Sequence, residues 1–244
     1  MNAATSDSRP APDASAFDCT AGYWQSLQAP DTLDMPLEGP FQRGYPARLP
    51  DGRYLVLPLR AVPADPDRCV ASLIANHASF EVIDALCGFM AQAARPLGAD
   101  CVVGLPTLGL AFAPRVAQLL GFGRYVPFGY SRKYWYDDQL AMPVQSLTSP
   151  LAKKMLYVDP NLAPRLQGVR VLVVDDAVST GQTMQSALTL LARCGADVAG
   201  IAVAMRQGTA WRRTLVDRQG APLPVVAAFD SPRLRRVPCG WMPE

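Results

Sequence analysis

The 244-residue sequence holds a single histidine, His77. That excludes metal centres built on several imidazoles. It also leaves a hydrolytic triad without support, because no GxSxG elbow accompanies it. His77 itself reads as a structural or surface residue. Cysteine is sparse: Cys19, Cys69, Cys87, Cys101, Cys194 and Cys239 are scattered, with no CxxC pair. A disulfide framework or a zinc site is therefore not expected. Cys87, Cys101 and Cys194 sit in apolar segments, where a reduced thiol packs as a small hydrophobe. Charge is low and nearly balanced, at 18% charged residues and a net charge of +2. No electrostatic case for nucleic acid follows, and the short clusters Arg212–Arg213 and Arg233, Arg235 and Arg236 read as solvated faces. No run approaches the roughly 18 apolar residues of a membrane span. The opening stretch MNAATSDSRPAPDASAFD lacks the apolar region of a secretory signal. The sequence thus predicts a cytoplasmic protein with neither nucleic acid nor membrane as partner.

What is present is apolar residue in quantity, half of the chain, enough for a full-sized core. Residues 1–18 are predicted to be a disordered tail, and 19–67 an N-terminal extension that wraps the surface, with "GRYLVLPLR" (Gly52–Arg60) as its one strand. From about residue 68 helices and strands alternate. Ser79 is placed to cap a helix running to about Arg95, with Val82, Ile83, Leu86, Phe89, Met90 and Ala93 as its stripe. "CVVGL" (Cys101–Leu105), "RYVPF", "KMLYV", "VRVLVVDD" and "VAGIAVAM" read as buried strands. Helices are predicted over about Leu110–Leu120 and Thr183–Arg193. "TAWRRTLVD" reads as a short helix and "PVVAAF" as a last strand. Residues 130–154 are predicted to be irregular. The alternation predicts an α/β fold with a mostly parallel, doubly wound sheet over residues 68–230, followed by a tail over 231–244.

In such sheets ligands bind beyond the carboxyl ends of the strands. "VLVVDDAVSTGQT" puts Asp175 and Asp176 at that edge of the most apolar strand. Two adjacent carboxylates repel, so they call for hydroxyl donors, a cation or water. The loop Ala177, Val178, Ser179, Thr180, Gly181, Gln182, Thr183 offers backbone N–H groups, three hydroxyls and a glycine for close approach. It opens a helix, whose N-terminus favours an anion. Acids for sugar hydroxyls beside N–H groups for a phosphate describe a site for a ribose 5-phosphate. A plain helix cap would also use Asp, Ser and Thr, but the full order of apolar strand, two acids and hydroxyl-rich TG-x-T goes beyond a cap. A Walker B strand would need a GxxxxGK[ST] partner. Gly104–Gly109 ("GLPTLG") has the glycine spacing, but Leu110 and Ala111 follow where that loop needs Lys and Ser/Thr. A GxGxxG fingerprint is absent as well.

"VLVVDDAVSTGQT" resembles the phosphoribosyl pyrophosphate (PRPP) motif of type I phosphoribosyltransferases, closest to the purine and adenine enzymes. The resemblance implies that Asp175 and Asp176 bond the ribose 2′- and 3′-hydroxyls, that any Mg²⁺ meets them only through ribose or water, and that Ala177–Thr183 holds the 5′-phosphate. "VVGLPTLGLAFAPRVAQLLG" is similar to the family's earlier strand–loop–helix. It carries the pyrophosphate role over to Leu105, Pro106, Thr107, Leu108 and Gly109, without the arginine that adenine enzymes commonly have near Leu108. "GYSRKYW" is similar to a segment whose Arg-Lys pair, here Arg132 and Lys133, meets pyrophosphate oxygens. Tyr136–Lys154 lies where the family carries a mobile catalytic loop, with Lys153 and Lys154 as candidates to reach the diphosphate.

By the same resemblance the base sits under a hood built from about residues 20–65, with the tail "VPCGWMPE" as a candidate contributor. Tyr134 and Trp135 are candidates to stack on a base, together with Tyr136, and Arg206 to hydrogen-bond its edge. The implied activity is Mg²⁺-dependent transfer of phosphoribose from PRPP to a nitrogenous base, a purine being favoured, in nucleobase salvage. A homodimer is the implied assembly. The alternative is a non-catalytic sensor of PRPP or a nucleotide on the same fold.

Overall fold

The computed structural model describes residues 20–144, 154–217 and 219–244. Elements follow in chain order: β1 (Gly44–Arg48), β2 (Tyr54–Val62), β3 (Asp65–Ala71), α1 (Phe80–Ala94), β4 (Cys101–Gly104), α2 (Ala113–Leu119), β5 (Val126–Pro127), β6 (Ala141–Val144), β7 (Lys154–Tyr157), β8 (Arg170–Val178), α3 (Gln182–Arg193), β9 (Asp197–Gln207), β10 (Val225–Ser231), β11 (Arg233–Val237) and β12 (Gly240–Pro243). Strands β10-β9-β8-β4-β5 form a parallel sheet, and β1-β2-β3-β11-β12 an antiparallel one.

The parallel sheet is apolar on both faces because both are covered. Along β8, Leu172 and Val174 join one core with Val82, Leu86 and Met90 of α1 and Val116 of α2. Val171 and Val173 join the other with Met184, Ala187, Leu190 and Leu191 of α3. All four strand residues are fully buried, so their run of branched side chains has no polar alternation. Helix α1 begins where its cap predicts: the Ser79 hydroxyl accepts the Val82 N–H at 3.2 Å. It stops at a 3₁₀ turn over Arg95–Leu97, closed by Gly98 in the left-handed region. Pro114 falls in the first turn of α2, where its missing N–H costs nothing.

Several elements depart from the sequence expectation. β1 lies in the extension that was expected to hold no strand before Gly52. Its "GYPAR" contains a glycine and a proline, which argue against a strand, yet β1 is an edge strand and tolerates Pro46 there. β3 begins "DPDR", which reads as a turn, and earns its place by pairing with β2 on one side and β11 on the other. The stretch 130–154 is not wholly irregular: β6 pairs antiparallel with β7. This ribbon docks on α3, where the Ser186 hydroxyl donates to the Pro143 carbonyl at 3.0 Å and Arg193 to the Ala141 carbonyl at 3.1 Å. "TAWRRTLVD" forms only a 3₁₀ turn over Ala210–Arg213.

The two large sheets meet at the carboxyl edge of the parallel one. Gln207, the last residue of β9, is buried, and its amide donates to the Ala71 carbonyl of β3 at 3.0 Å. Removing a donor from a buried acceptor costs about 1–3 kcal/mol. Gln207→Leu is therefore expected to destabilise the protein by about that amount, seen as a lower urea midpoint. An unchanged midpoint would show that this bond does not hold the sheets together.

Candidate active site

The site begins where β4 stops and β8 continues. The pairing Gly104–Val174 is the last between these strands, closed by the Leu105 N–H on the Val174 carbonyl at 2.9 Å. On the other side β8 stays paired with β9 through Val178. Asp175 and Asp176 are thus not at the end of β8, as the sequence suggested. They lie within it, at the point where one neighbour has left. The chain from Leu105 turns there through a cis Pro106–Thr107 peptide and a 3₁₀ turn over Leu108–Ala111. Gly109 presses on the first acid: a Cβ at 109 would stand 2.7 Å from Asp175 Oδ1 and 2.8 Å from its Cα. Only glycine fits that contact.

The two acids consequently differ. Asp175 is 6% exposed, with Oδ1 accepting the Asp176 N–H at 2.9 Å. Asp176 keeps partial exposure. Burial pushes the Asp175 carboxyl well above its ordinary value, and the charge of Asp176 pushes it further. Burial raises Asp176 too, against hydrogen bonds that favour its charged form. The sequence placed both acids as equal partners for a sugar. In this arrangement Asp176 is the more accessible, and Asp175 is covered by the 105–109 loop.

Beyond the acids, Ala177 and Val178 finish β8, and Ser179 and Thr180 lead to Gly181, which precedes α3 with φ 83°. A side chain at 181 would meet Leu215 at 3.1 Å. Gly181 gives α3 no side-chain cap, and Gln182 is exposed and Thr183 half-buried in its first turn, where a helix has N–H groups without intrahelical partners. Thr107 is exposed and Leu108 half-buried on the facing loop.

The remaining candidates scatter. Arg132 turns to Asp138, Nε to Oδ1 at 3.0 Å, in an exposed pair, and Lys133 is exposed beside it. Tyr134 is 93% exposed and meets Trp135 edge to face at 4.7 Å, while the Trp135 indole donates to Asp159 at 3.3 Å. Trp135 meets Tyr136 at 5.9 Å, and Tyr136 in turn packs on Tyr157 of β7 at 5.8 Å. Arg206 closes on Asp230 through two bonds of 2.7 and 2.9 Å. It lines a cavity of about 500 Å³ together with Tyr45, Arg48 and Tyr54 of the antiparallel sheet. No residue of the 105–109 or 177–183 loops lines that cavity. Lys153 lies outside the described residues. Lys154 opens β7, with Nζ 5.4 Å from the centre of the Tyr130 ring. Tyr130 was not singled out from the sequence. Its signal was position, just past the end of "RYVPF" at the ligand-binding edge. Burial, with added repulsion from Asp175 and Asp176, pushes its phenol up to about 12, so it stays a neutral donor. Among the described residues no group of three or more His, Cys, Asp or Glu could hold a metal ion, and no helix is long and apolar enough to cross a membrane.

An acidic pair and a helix-opening loop thus lie together at the carboxyl edge of a parallel sheet, the edge where α/β proteins of this class bind ligands. The match of residues 70–218 to the phosphoribosyl transferase domain makes the chain a member of the phosphoribosyltransferase family. An adenine phosphoribosyltransferase of Frankia casuarinae is 35% identical over 158 residues, covering 65% of this chain and 77% of that protein. A xanthine phosphoribosyltransferase of Streptococcus agalactiae is 26% identical over 172 residues, covering 68% and 86%. The crystal structure of adenine phosphoribosyltransferase from Thermoanaerobacter pseudethanolicus shares the fold, with a TM-score of 0.56 at 17% identity over 71% of this chain and 95% of that one.

The raised acids make stability depend on pH. Both carboxyls hold protons more tightly folded than unfolded, so their contribution is full below the unfolded value near pH 4 and is lost as pH rises through the folded values. Asp175→Asn keeps the oxygen that accepts the Asp176 N–H and removes the buried charge. It is expected to raise the melting temperature at pH 7–8 by roughly 2–4 °C, about 1 kcal/mol, and to flatten the fall with pH. A lower melting temperature across that range would show that burial of this charge is not the dominant cost.

Proposed function

We propose that this chain transfers the phosphoribosyl group of PRPP to a purine base and releases pyrophosphate, in nucleobase salvage. The observation that carries the reading is the half-exposed Asp176 beside the uncapped N-terminus of α3. The sugar's 5′-phosphate would lie on the N–H groups and hydroxyls of Ser179–Thr183, a cradle that the helix dipole favours. Asp176 would accept a ribose hydroxyl, and Asp175 behind it would fix the Asp176 backbone. The exposed Thr107 and half-buried Leu108 would offer N–H groups to the diphosphate. The relatives named for adenine and xanthine transfer support a purine as acceptor. The second sheet would serve as the hood, with Arg206 on its inner boundary. A cytoplasmic homodimer is the setting that the resemblance implies.

The bond to C1′ breaks with oxocarbenium character, so catalysis is alignment plus stabilisation of the departing charge. Asp175 and Asp176 would be indirect partners, through ribose or water, of a Mg²⁺ ion, which when bound would supply charge neutralisation. The chain's own share is to hold sugar, phosphate and leaving group in line from two facing loops.

The test is pyrophosphate release from PRPP and Mg²⁺ with adenine, hypoxanthine, guanine, xanthine, uracil and orotate in turn. Turnover is expected with a purine. Asp175→Asn combined with Asp176→Asn should fold and lose PRPP affinity by about 10²-fold or more. Thermal stabilisation by PRPP without turnover of any base would instead identify a sensor, and unchanged PRPP affinity in the double variant would remove the ribose contacts.

A further inference from the structure

The 105–109 loop, Leu-Pro-Thr-Leu-Gly, carries no cationic side chain. A diphosphate lying against it would need positive charge from elsewhere. Arg132 is turned to Asp138 and Arg206 to Asp230. Lys154 differs, because it forms no ion pair among the described residues and its ammonium sits over an aromatic face.

The position of that face is fixed by backbone. The Phe128 N–H bonds the Gly104 carbonyl at 2.9 Å, which ties the end of β5 to the end of β4. Gly129 and Tyr157 exchange two bonds, of 3.0 and 2.8 Å, which ties the same segment to β7. Tyr130 follows directly. Its ring packs against the core that contains Leu105, Val173 and Val178, and its hydroxyl lies within the field of Asp175 and Asp176. Lys154, at the start of β7, reaches the ring at 5.4 Å, within the range of a cation–π contact.

Resting on the phosphoribosyl-transfer reading, we propose that Tyr130 is a positioning residue that holds the Lys154 ammonium at the acidic edge, where it meets the negative charge of a bound diphosphate. The Lys154 ammonium has a ring face and no ion-pair partner among the described residues. It is therefore ready to take a phosphate oxygen as partner.

The test is a double-mutant cycle on the full chain, read as dissociation constants for Mg²⁺-pyrophosphate and for Mg²⁺-PRPP without any base. Lys154→Met and Tyr130→Leu are each expected to weaken pyrophosphate binding by about 10-fold, and the double variant by no more than either alone. Tyr130→Phe and Lys154→Arg keep ring and cation, and are expected to stay within about 3-fold of the unaltered chain. Should Tyr130→Leu prove too unstable, Tyr130→Phe and the two lysine variants carry the test. Losses that multiply in the double variant would overturn the coupling. A loss in Tyr130→Phe like that in Lys154→Met would assign the effect to the hydroxyl and overturn the ring-face role. Full affinity in Lys154→Met, with binding intact in the unaltered chain, would overturn the proposal alone. If the unaltered chain binds neither ligand, the site reading falls and takes this inference with it.

Discussion

Everything at this edge depends on two carboxylates kept side by side in a place that resists their charge. β4 ends at Gly104 while β8 runs on, and the vacated side of β8 is filled by the chain's own loop, with Gly109 against Asp175. Burial raises both acids, and the charge of Asp176 raises Asp175 further. A fold selected only for stability would place an amide or an apolar residue at 175. The arrangement makes sense when hydroxyl donors and a cation arrive with a ligand, because those are what two crowded carboxylates lack. Asp175 then acts mainly through geometry: its oxygen holds the Asp176 N–H, and its bulk sets the height of the loop.

The rest of the scaffold keeps that edge rigid. Val171–Val174 are gripped from both faces, by α1 and α2 on one side and α3 on the other. A strand so enclosed cannot shift register without moving two cores, so the acids inherit its rigidity. The second sheet is joined to the first by chain continuity, β10 running into β11, and by the buried Gln207–Ala71 bond. It borrows strands from both ends of the chain, which is why neither end shows a complete sheet pattern by itself.

The parallel core was legible because burial on both faces leaves an unmistakable apolar run, as in "VLVV", and because Ser79, Pro96 and Gly98 punctuate α1 by local chemistry. The second sheet was not. "GYPAR" and "DPDR" contain the residues that break strands, and only the neighbours β2 and β11, distant in sequence, make strands of them. The loop that opens α3 was legible for the same reason as α1: glycine, hydroxyls and a helix start are local signals. The unequal burial of Asp175 and Asp176 was not, since it arises from a loop about 65 residues earlier in the chain. Tyr130 escaped notice because a lone tyrosine after a short strand has no pattern; its meaning comes from Lys154 across the Gly129–Tyr157 bridge.

The negative and positive groups around the edge are held by opposite means. Asp175 is buried and Asp176 partly exposed, and both are carried on a strand fixed by its backbone pairing. The cations are on or near the surface and held by weak partners: Arg132 by an exposed aspartate, Lys154 by a ring face. Exposed ion pairs contribute little, so such contacts exchange readily when a stronger anion arrives. On the proposed reading this divides the labour. The sugar is bound by a preorganised part that costs no rearrangement during reaction, while the diphosphate, whose charge changes as the bond breaks, is met by side chains free to follow it. On the same reading the asymmetry explains why the 105–109 loop can lack a cation. Its backbone supplies direction, and the charge comes from residues that need not be fixed before the ligand is there.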